Sequence, residues 1–167
     1  MHFLVNIFLI CFICTSTFSQ NTIKHTLEKY NSNAVKYISV ETLKSSKDYI
    51  LLDTREREEY EISKLKNAIW VGYKSFSITE FKASLPDKNT PIVVYCSVGV
   101  RSEKIGEKLL QSGYSNVQNL YGGIFSWKNS GNPVYDKNNN ETEKVHAYSK
   151  QWGKLLTNAE KIYNTKS

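Results

Sequence analysis

The chain has 167 residues, with 22 Lys and Arg against 16 Asp and Glu, 40% hydrophobic and 23% charged residues. This ordinary globular composition argues against collagen-like, coiled-coil and wholly disordered classes, and a single domain of ~150 residues buries roughly two-thirds of its unfolded surface without needing staples. The net charge of +6 is spread from Lys24 to Lys166 with acids between, which describes a solvated basic surface and predicts no nucleic-acid partner.

Residues 3–18, FLVNIFLICFICTSTF, are apolar up to Cys14 and then small and hydroxylated as far as Ser19. That pattern reads as a secretory signal peptide over residues 1–19, with a small-x-small cleavage site at Thr17-Phe18-Ser19, and predicts an exported protein, periplasmic or secreted. The run is shorter than the ~20 apolar residues of a spanning helix and is broken by Asn6, so no permanent membrane anchor is expected. Cleavage would remove Cys11 and Cys14 and leave Cys96 as the single cysteine of the mature chain. A lone thiol in an exported protein is an intermolecular partner, an inert buried residue or a reactive nucleophile. His25 and His146 lie far apart in sequence and form no ligand-spaced cluster, so neither a metal nor another cofactor is expected.

After an N-terminal extension over residues 20–34, residues 35–135 alternate strand-like and helix-like segments. Short apolar runs at 49–52, 68–71, 92–95 and 117–120 have strand length, and most carry β-branched or aromatic residues. Helix formers fill 56–62, 77–85 and 102–111, and Gly113 stands where a helix C′ glycine belongs. Strands separated by helices predict an α/β fold, a parallel sheet flanked by helices. Residues 136–167 read as a linker, with its asparagine run at 138–140, followed by a C-terminal amphipathic helix. Val145, Tyr148, Trp152, Leu155, Ala159 and Ile162 recur at alternating steps of three and four, one helical stripe. Asn140 and Glu143 supply an N-cap and its capping-box partner, and Gly153 inside the run costs roughly 1 kcal/mol. The stripe is expected to pack on the domain as extra core; the alternative is a surface for a protein partner.

The chemistry converges on residues 95–102, YCSVGVRS. Cys96 ends a near-continuous apolar strand, where open parallel sheets place their ligand crevices. A helix starting near Ser102 turns its positive end toward the same loop. A thiolate there would be stabilised by that helix end, by the N–H groups of a loop formed by Ser97, Val98, Gly99 and Val100, and by Arg101. Gly99 lets the backbone curl at a φ that other residues resist. An arbitrary lone cysteine is a small buried hydrophobe, but the glycine, the arginine and the strand-loop-helix context point to a nucleophile. Upstream, Asp53 precedes Glu56 by three and reads as an N-cap in a variant capping box, with a supporting role at the active loop as the alternative. Gly122 and Gly123 read as turn residues, and Trp127 as core.

These residues resemble the rhodanese family. The likeness rests on C-x-x-G-x-R-S at 96–102, on LLDTR at 51–55 and on LYGGIFSW at 120–127, and it covers roughly residues 35–135. It implies a single rhodanese-like domain whose cysteine carries a persulfide, and it places Arg55 near the active loop, although a surface ion pair explains that arginine equally well. Where such domains commonly read GHIPGA, this chain has SKLKNA at 63–68, so the turn before that strand departs from the pattern. The implied activity is ping-pong sulfur transfer: Cys96 attacks the outer sulfur of a donor such as thiosulfate, and the persulfide passes its sulfur to a thiol or cyanide. Ser97 and Val98 bring no charge to the loop, so no preference for thiosulfate follows from it. Related phosphatases and arsenate reductases use C-x5-R, whereas four residues separate Cys96 from Arg101, which favours sulfur. A noncatalytic binding module on the same scaffold would typically lack the cysteine.

Overall fold

The computed structural model describes residues 22–46 and 48–163. The expected signal peptide, with Cys11 and Cys14, lies outside them. The framework is a five-stranded, all-parallel sheet in the order β1-β5-β4-β2-β3, formed by β1 (Lys36–Ile38), β2 (Ile50–Asp53), β3 (Ile69–Trp70), β4 (Ile92–Tyr95) and β5 (Val117–Leu120). Central strand β4 is fully buried and feeds both faces. Val93 and Tyr95 point into one core with Ile124 and Phe125, while Ile92 and Val94 point into another with Phe81, Ile105 and Leu109. A strand covered on both faces needs an unbroken apolar run, which is why IVVY could be read from sequence.

The helices are α1 (Ile23–Tyr30), α2 (Val40–Ser45), α3 (Arg57–Ile62), α4 (Ile78–Ser84), α5 (Val100–Gln111) and α6 (Gly123–Asn129). Ser39 and Ser77 cap α2 and α4 by accepting the Thr42 and Glu80 amides. Helix α5 starts two residues before its expected beginning, so Arg101 and Ser102 occupy its first turn. The N-terminal extension is built into the fold: Leu27 of α1 is buried, and the Ser32 amide donates to Glu103 of α5 at 2.8 Å.

The tail is not the expected helix. It forms β7 (Glu141–Thr142), paired antiparallel with β6 (Val134–Tyr135), then β8 (Lys144–His146), a 3-10 turn at Trp152–Leu155, and β9 (Glu160–Ile162), paired parallel with β8. Val145 and Ala147 are both fully buried; this two-residue spacing is the period of a strand and competed with the 3.5-residue stripe. Tyr148, at φ +64°, breaks any helical path between β8 and the turn. Asn140 is no helix cap but donates its amide to Asp136 Oδ1 at 2.9 Å in the β6–β7 turn, so the asparagine run is a tight turn and not a linker. Glu143 accepts the buried Lys128 ammonium at 2.8 Å.

The packing expected of the tail survives the change of shape, since Val145, Ala147, Leu155 and Leu156 join the core beside Leu65 and Phe125. Deleting residues 141–167 should therefore lower stability by on the order of 3 kcal/mol or more, after regained chain entropy is subtracted from the lost burial. A thermal melt should shift down by roughly 8 °C or more. An unchanged melting temperature would rule out the packing role.

Candidate active site

Strand β4 delivers Cys96 to the carboxyl end of the sheet, and the chain then turns through Ser97, Val98 and Gly99 before entering α5 at Val100. Gly99 makes the turn at φ +111°, a conformation other residues resist. Three groups fix it from behind: the side-chain amides of Asn31 (3.0 Å) and Asn119 (2.8 Å) both donate to the Gly99 carbonyl, and the Gly99 N–H points inward and donates to Cys96 Sγ at 3.1 Å. The carbonyls of Cys96 and Ser97 are held by the first amides of α6, Ile124 N–H at 2.9 Å and Phe125 N–H at 3.1 Å. Gly123, at φ +53°, permits that approach, because a Cβ there would collide with the Cys96 carbonyl oxygen. The glycine pair 122–123 thus serves the active loop as well as a turn.

Burial pushes the Cys96 thiol up, but the Arg101 charge and hydrogen bonds from Ser102 and the Gly99 amide outweigh it, leaving the thiol below its ordinary range. The Ser102 hydroxyl has one proton and two suitors. Its oxygen lies 2.7 Å from Asn119 Oδ1 and 3.6 Å from Cys96 Sγ. Since Asn119 spends its own N–H on Gly99, its Oδ1 must accept, and the shorter contact takes the proton while the sulfur is a neutral thiol.

Arg101 does not reach out to solvent. Its Nη1 and Nη2 bind Glu59 Oε2 and Oε1 at 2.6 and 2.8 Å, Nη2 also donates to Ser97 Oγ at 3.0 Å, and the guanidinium lies 4.9 Å from the Tyr148 ring centre. Burial pushes the Glu59 carboxyl up, but contact with Arg101 and the nearby Arg55 charge hold it below its usual range. Glu59 also accepts the Ser97 hydroxyl and, at the start of α3, the Glu56 amide at 3.0 Å. His146 Nδ1, 3.9 Å from Glu59 Oε1, accepts the Tyr148 amide. Glu59 was not singled out in the sequence because EREEYE reads as a solvated charged helix. The one usable signal was the Glu56/Glu59 spacing, which is the capping box actually formed.

Asp53 and Arg55 are corrected together. Asp53 is not a helix N-cap, and Arg55 is in no surface pair: both side chains are fully buried and bound to each other through Nε–Oδ1 at 2.9 Å and Nη2–Oδ2 at 2.6 Å. Arg55 Nη2 also donates to the Ser63 carbonyl at 2.5 Å, tying β2 to the SKLKNA segment. Their place is beneath the loop, with Arg55 5.8 Å from the Tyr95 ring, and the pocket at Cys96 excludes them from its lining. Trp127 is half-buried against the core, its indole N–H donating to the Pro133 carbonyl.

Cys96 opens to a pocket of about 270 Å3, walled by the loop and by Tyr30, Tyr148 and Trp152. Two larger hollows, about 560 and 610 Å3, adjoin β3 and contain neither Cys96, Arg101 nor Glu59. The smaller pocket is the candidate site because it alone of the three contains a thiol held below its ordinary range. Among the described residues no cluster of three His, Cys, Asp or Glu side chains is placed to hold a metal ion, and no helix is long and apolar enough to cross a membrane.

A parallel α/β sheet that presents a cysteine at the end of its central strand, in a loop closed by a helix N-terminus, is the arrangement of the rhodanese-like domain. Residues 38–130 match the family model of that domain, and the chain belongs to this family. It is 28% identical over 106 residues to the thiosulfate sulfurtransferase GlpE of Coxiella burnetii, covering 64% of this chain and 95% of that one. Among solved structures it is similar to a rhodanese-related protein of Thermoplasma volcanium (29% identity, TM-score 0.52, 59% of this chain and 96% of that chain). It is also similar to a rhodanese-like domain protein of Staphylococcus aureus (28% identity, TM-score 0.51, 61% and 98%).

Proposed function

We propose that the protein is a sulfurtransferase that carries sulfane sulfur as a persulfide on Cys96. The observation that carries this reading is the seat of the sulfur: Sγ accepts the Gly99 N–H at 3.1 Å, Cys96 lines the pocket, and its thiol is held below the ordinary range. In the first half-reaction the Cys96 thiolate attacks the outer sulfur of a donor. The new S–S bond forms as the donor's own bond to that sulfur breaks, and the leaving group departs with the electron pair. In the second, an acceptor thiolate attacks the outer sulfur of the persulfide and Cys96 leaves as thiolate. The Gly99 and Ser102 amides stabilise negative charge on Sγ, and the Ser102 hydroxyl, by turning from Asn119 to the sulfur, adds a donor when charge develops. The test is the intact mass of the full chain after mixing with a sulfane-sulfur donor: one added sulfur, mapped to the Cys96 peptide, is expected, and no added sulfur with any donor would end the reading.

The pH dependence of this loading has a definite sign. The thiol form is inert, so the rate should rise with pH and level off below the range of an ordinary thiol, about 8.5. Arg101→Gln removes the charge that opposes burial, and its rate profile should move up toward the ordinary range. Superimposable profiles for the two proteins would show that Arg101 does not tune the thiol.

We further propose that the protein works outside the cytoplasm after losing residues 1–19, on the strength of the apolar run and the Thr17-Phe18-Ser19 signal. N-terminal sequencing of the exported protein should begin at Gln20, and a retained Met1 would refute it.

A further inference from the structure

The pocket over Cys96 is completed by residues that the family match does not include. Tyr30 comes from α1, Tyr148 follows β8 and Trp152 begins the 3-10 turn, all outside residues 38–130. Their rings form a continuous rim: Tyr30 and Trp152 are 6.1 Å apart at a 31° tilt, and Tyr148 meets Trp152 edge-on at 6.0 Å. Tyr30 and Tyr148 are each about half exposed, at 50% and 51%, which leaves ring surface for a ligand. Within the pocket Val98 and Val100 continue the apolar wall.

Charge in this mouth is balanced before any ligand arrives. Apart from Cys96, Arg101 is the one charged residue among the described residues that line it, and its Nη1 and Nη2 are both engaged by Glu59, with Nη2 shared by Ser97. Lys29 is exposed, with its ammonium 5.1 Å from the Tyr30 ring centre, and is not in the lining. A small inorganic dianion would shed hydration here without gaining a free cation, whereas an apolar group would be covered by ring faces.

From this we infer that the organic partner of the Cys96 transfer is an uncharged thiol, R–SH, and its persulfide, R–S–SH, in which R is an apolar group about the size of one aromatic ring. The inference rests on the sulfurtransferase reading and narrows its substrate class. As donor, R–S–SH gives its outer sulfur to the Cys96 thiolate, the R–S to S bond breaks, and R–S⁻ leaves with the pair. As acceptor, R–S⁻ attacks the outer sulfur of Cys96–S–SH, forming R–S–SH as the Cys96 S–S bond breaks and Cys96 leaves as thiolate.

The test separates the two readings. The full chain is loaded with excess inorganic polysulfide, desalted and weighed. It is then mixed with 2-phenylethanethiol, 2-mercaptoethanol or 3-mercaptopropionate at equal thiolate concentration, and the loss of the added sulfur is followed by mass. Failure to load from inorganic polysulfide and from the persulfide of 2-phenylethanethiol alike overturns the sulfur-carrier reading and this inference with it. After loading, 2-phenylethanethiol should discharge Cys96 about tenfold faster than either other thiol, the factor expected from covering roughly 55 Å2 of ring surface. Equal rates, or a faster carboxylate, would overturn the inference and leave the carrier reading standing. Tyr30→Ser and Tyr148→Asn, the latter chosen because Asn tolerates the φ of +64° at that position, should each shrink the ratio at least threefold. A ratio unchanged in both variants would equally overturn it.

Discussion

The Cys96→Ala protein will fold as the wild type does and will take up no sulfur from any donor. The two halves of this expectation have separate causes. The loop is closed by main-chain and asparagine contacts, since Ile124 and Phe125 hold the carbonyls of residues 96 and 97 while Asn31 and Asn119 hold that of Gly99. None of these uses the sulfur. Losing the small sulfur and the bond it accepts from the Gly99 N–H costs about 1–3 kcal/mol, so the melt should fall by a few degrees while the fold stands. Uptake fails because, among the described residues, Cys96 is the one cysteine, and the neighbouring Ser97 and Ser102 hydroxyls have no sulfur with which to form a persulfide. An added sulfur in the intact mass of Cys96→Ala would place the chemistry elsewhere.

Breaking the Asp53–Arg55 pair should unfold or nearly unfold the domain. Both side chains are at 0% exposure, so Asp53→Asn leaves a guanidinium charge stranded in the core and Arg55→Leu strands a carboxylate. Either loss should cost about 3–5 kcal/mol, a large share of the roughly 5–15 kcal/mol that holds a domain of this size together. The combined Asp53→Asn/Arg55→Leu protein carries no stranded charge and should lose clearly less than the sum of the two single changes. Urea melts of the three proteins decide it. Single-variant losses within about 1 kcal/mol of wild type would mean that water reaches the pair and that its burial has no structural weight.

Two kinds of information were legible in the sequence, and both were local. Strand β4 and strand β5 have the bounds read from their apolar runs, and β2 and β3 lie within a residue of theirs; β4 is uniformly apolar because both its faces are covered, and the others each carry at least two apolar residues over strand length. The active loop was legible because Cys96, Gly99 and Arg101 are close in sequence and each has a chemical reason to be there. Contacts made at a distance were not. Arg101 meets Glu59 across 42 residues, and Asn119 meets Gly99 across 20. Helices α1 and α2 and strand β1 were missed for a different reason: they are short, of eight, six and three residues. In the tail, the same apolar residues satisfied two periods, and the pairing of β8 with β9, which decided between them, is not written in either segment alone.

The docking of α6 behind the loop carries a last consequence. Because the Ile124 and Phe125 amides fasten the carbonyls of residues 96 and 97, and Asn31 and Asn119 that of Gly99, the loop that turns the Gly99 N–H onto the sulfur is set by folding. Charge moving between the two sulfurs of a persulfide would then meet an environment that has already relaxed around it. Little reorganisation energy is left for the transfer itself to supply, and the entropy of ordering the loop is settled at folding, not at each turnover.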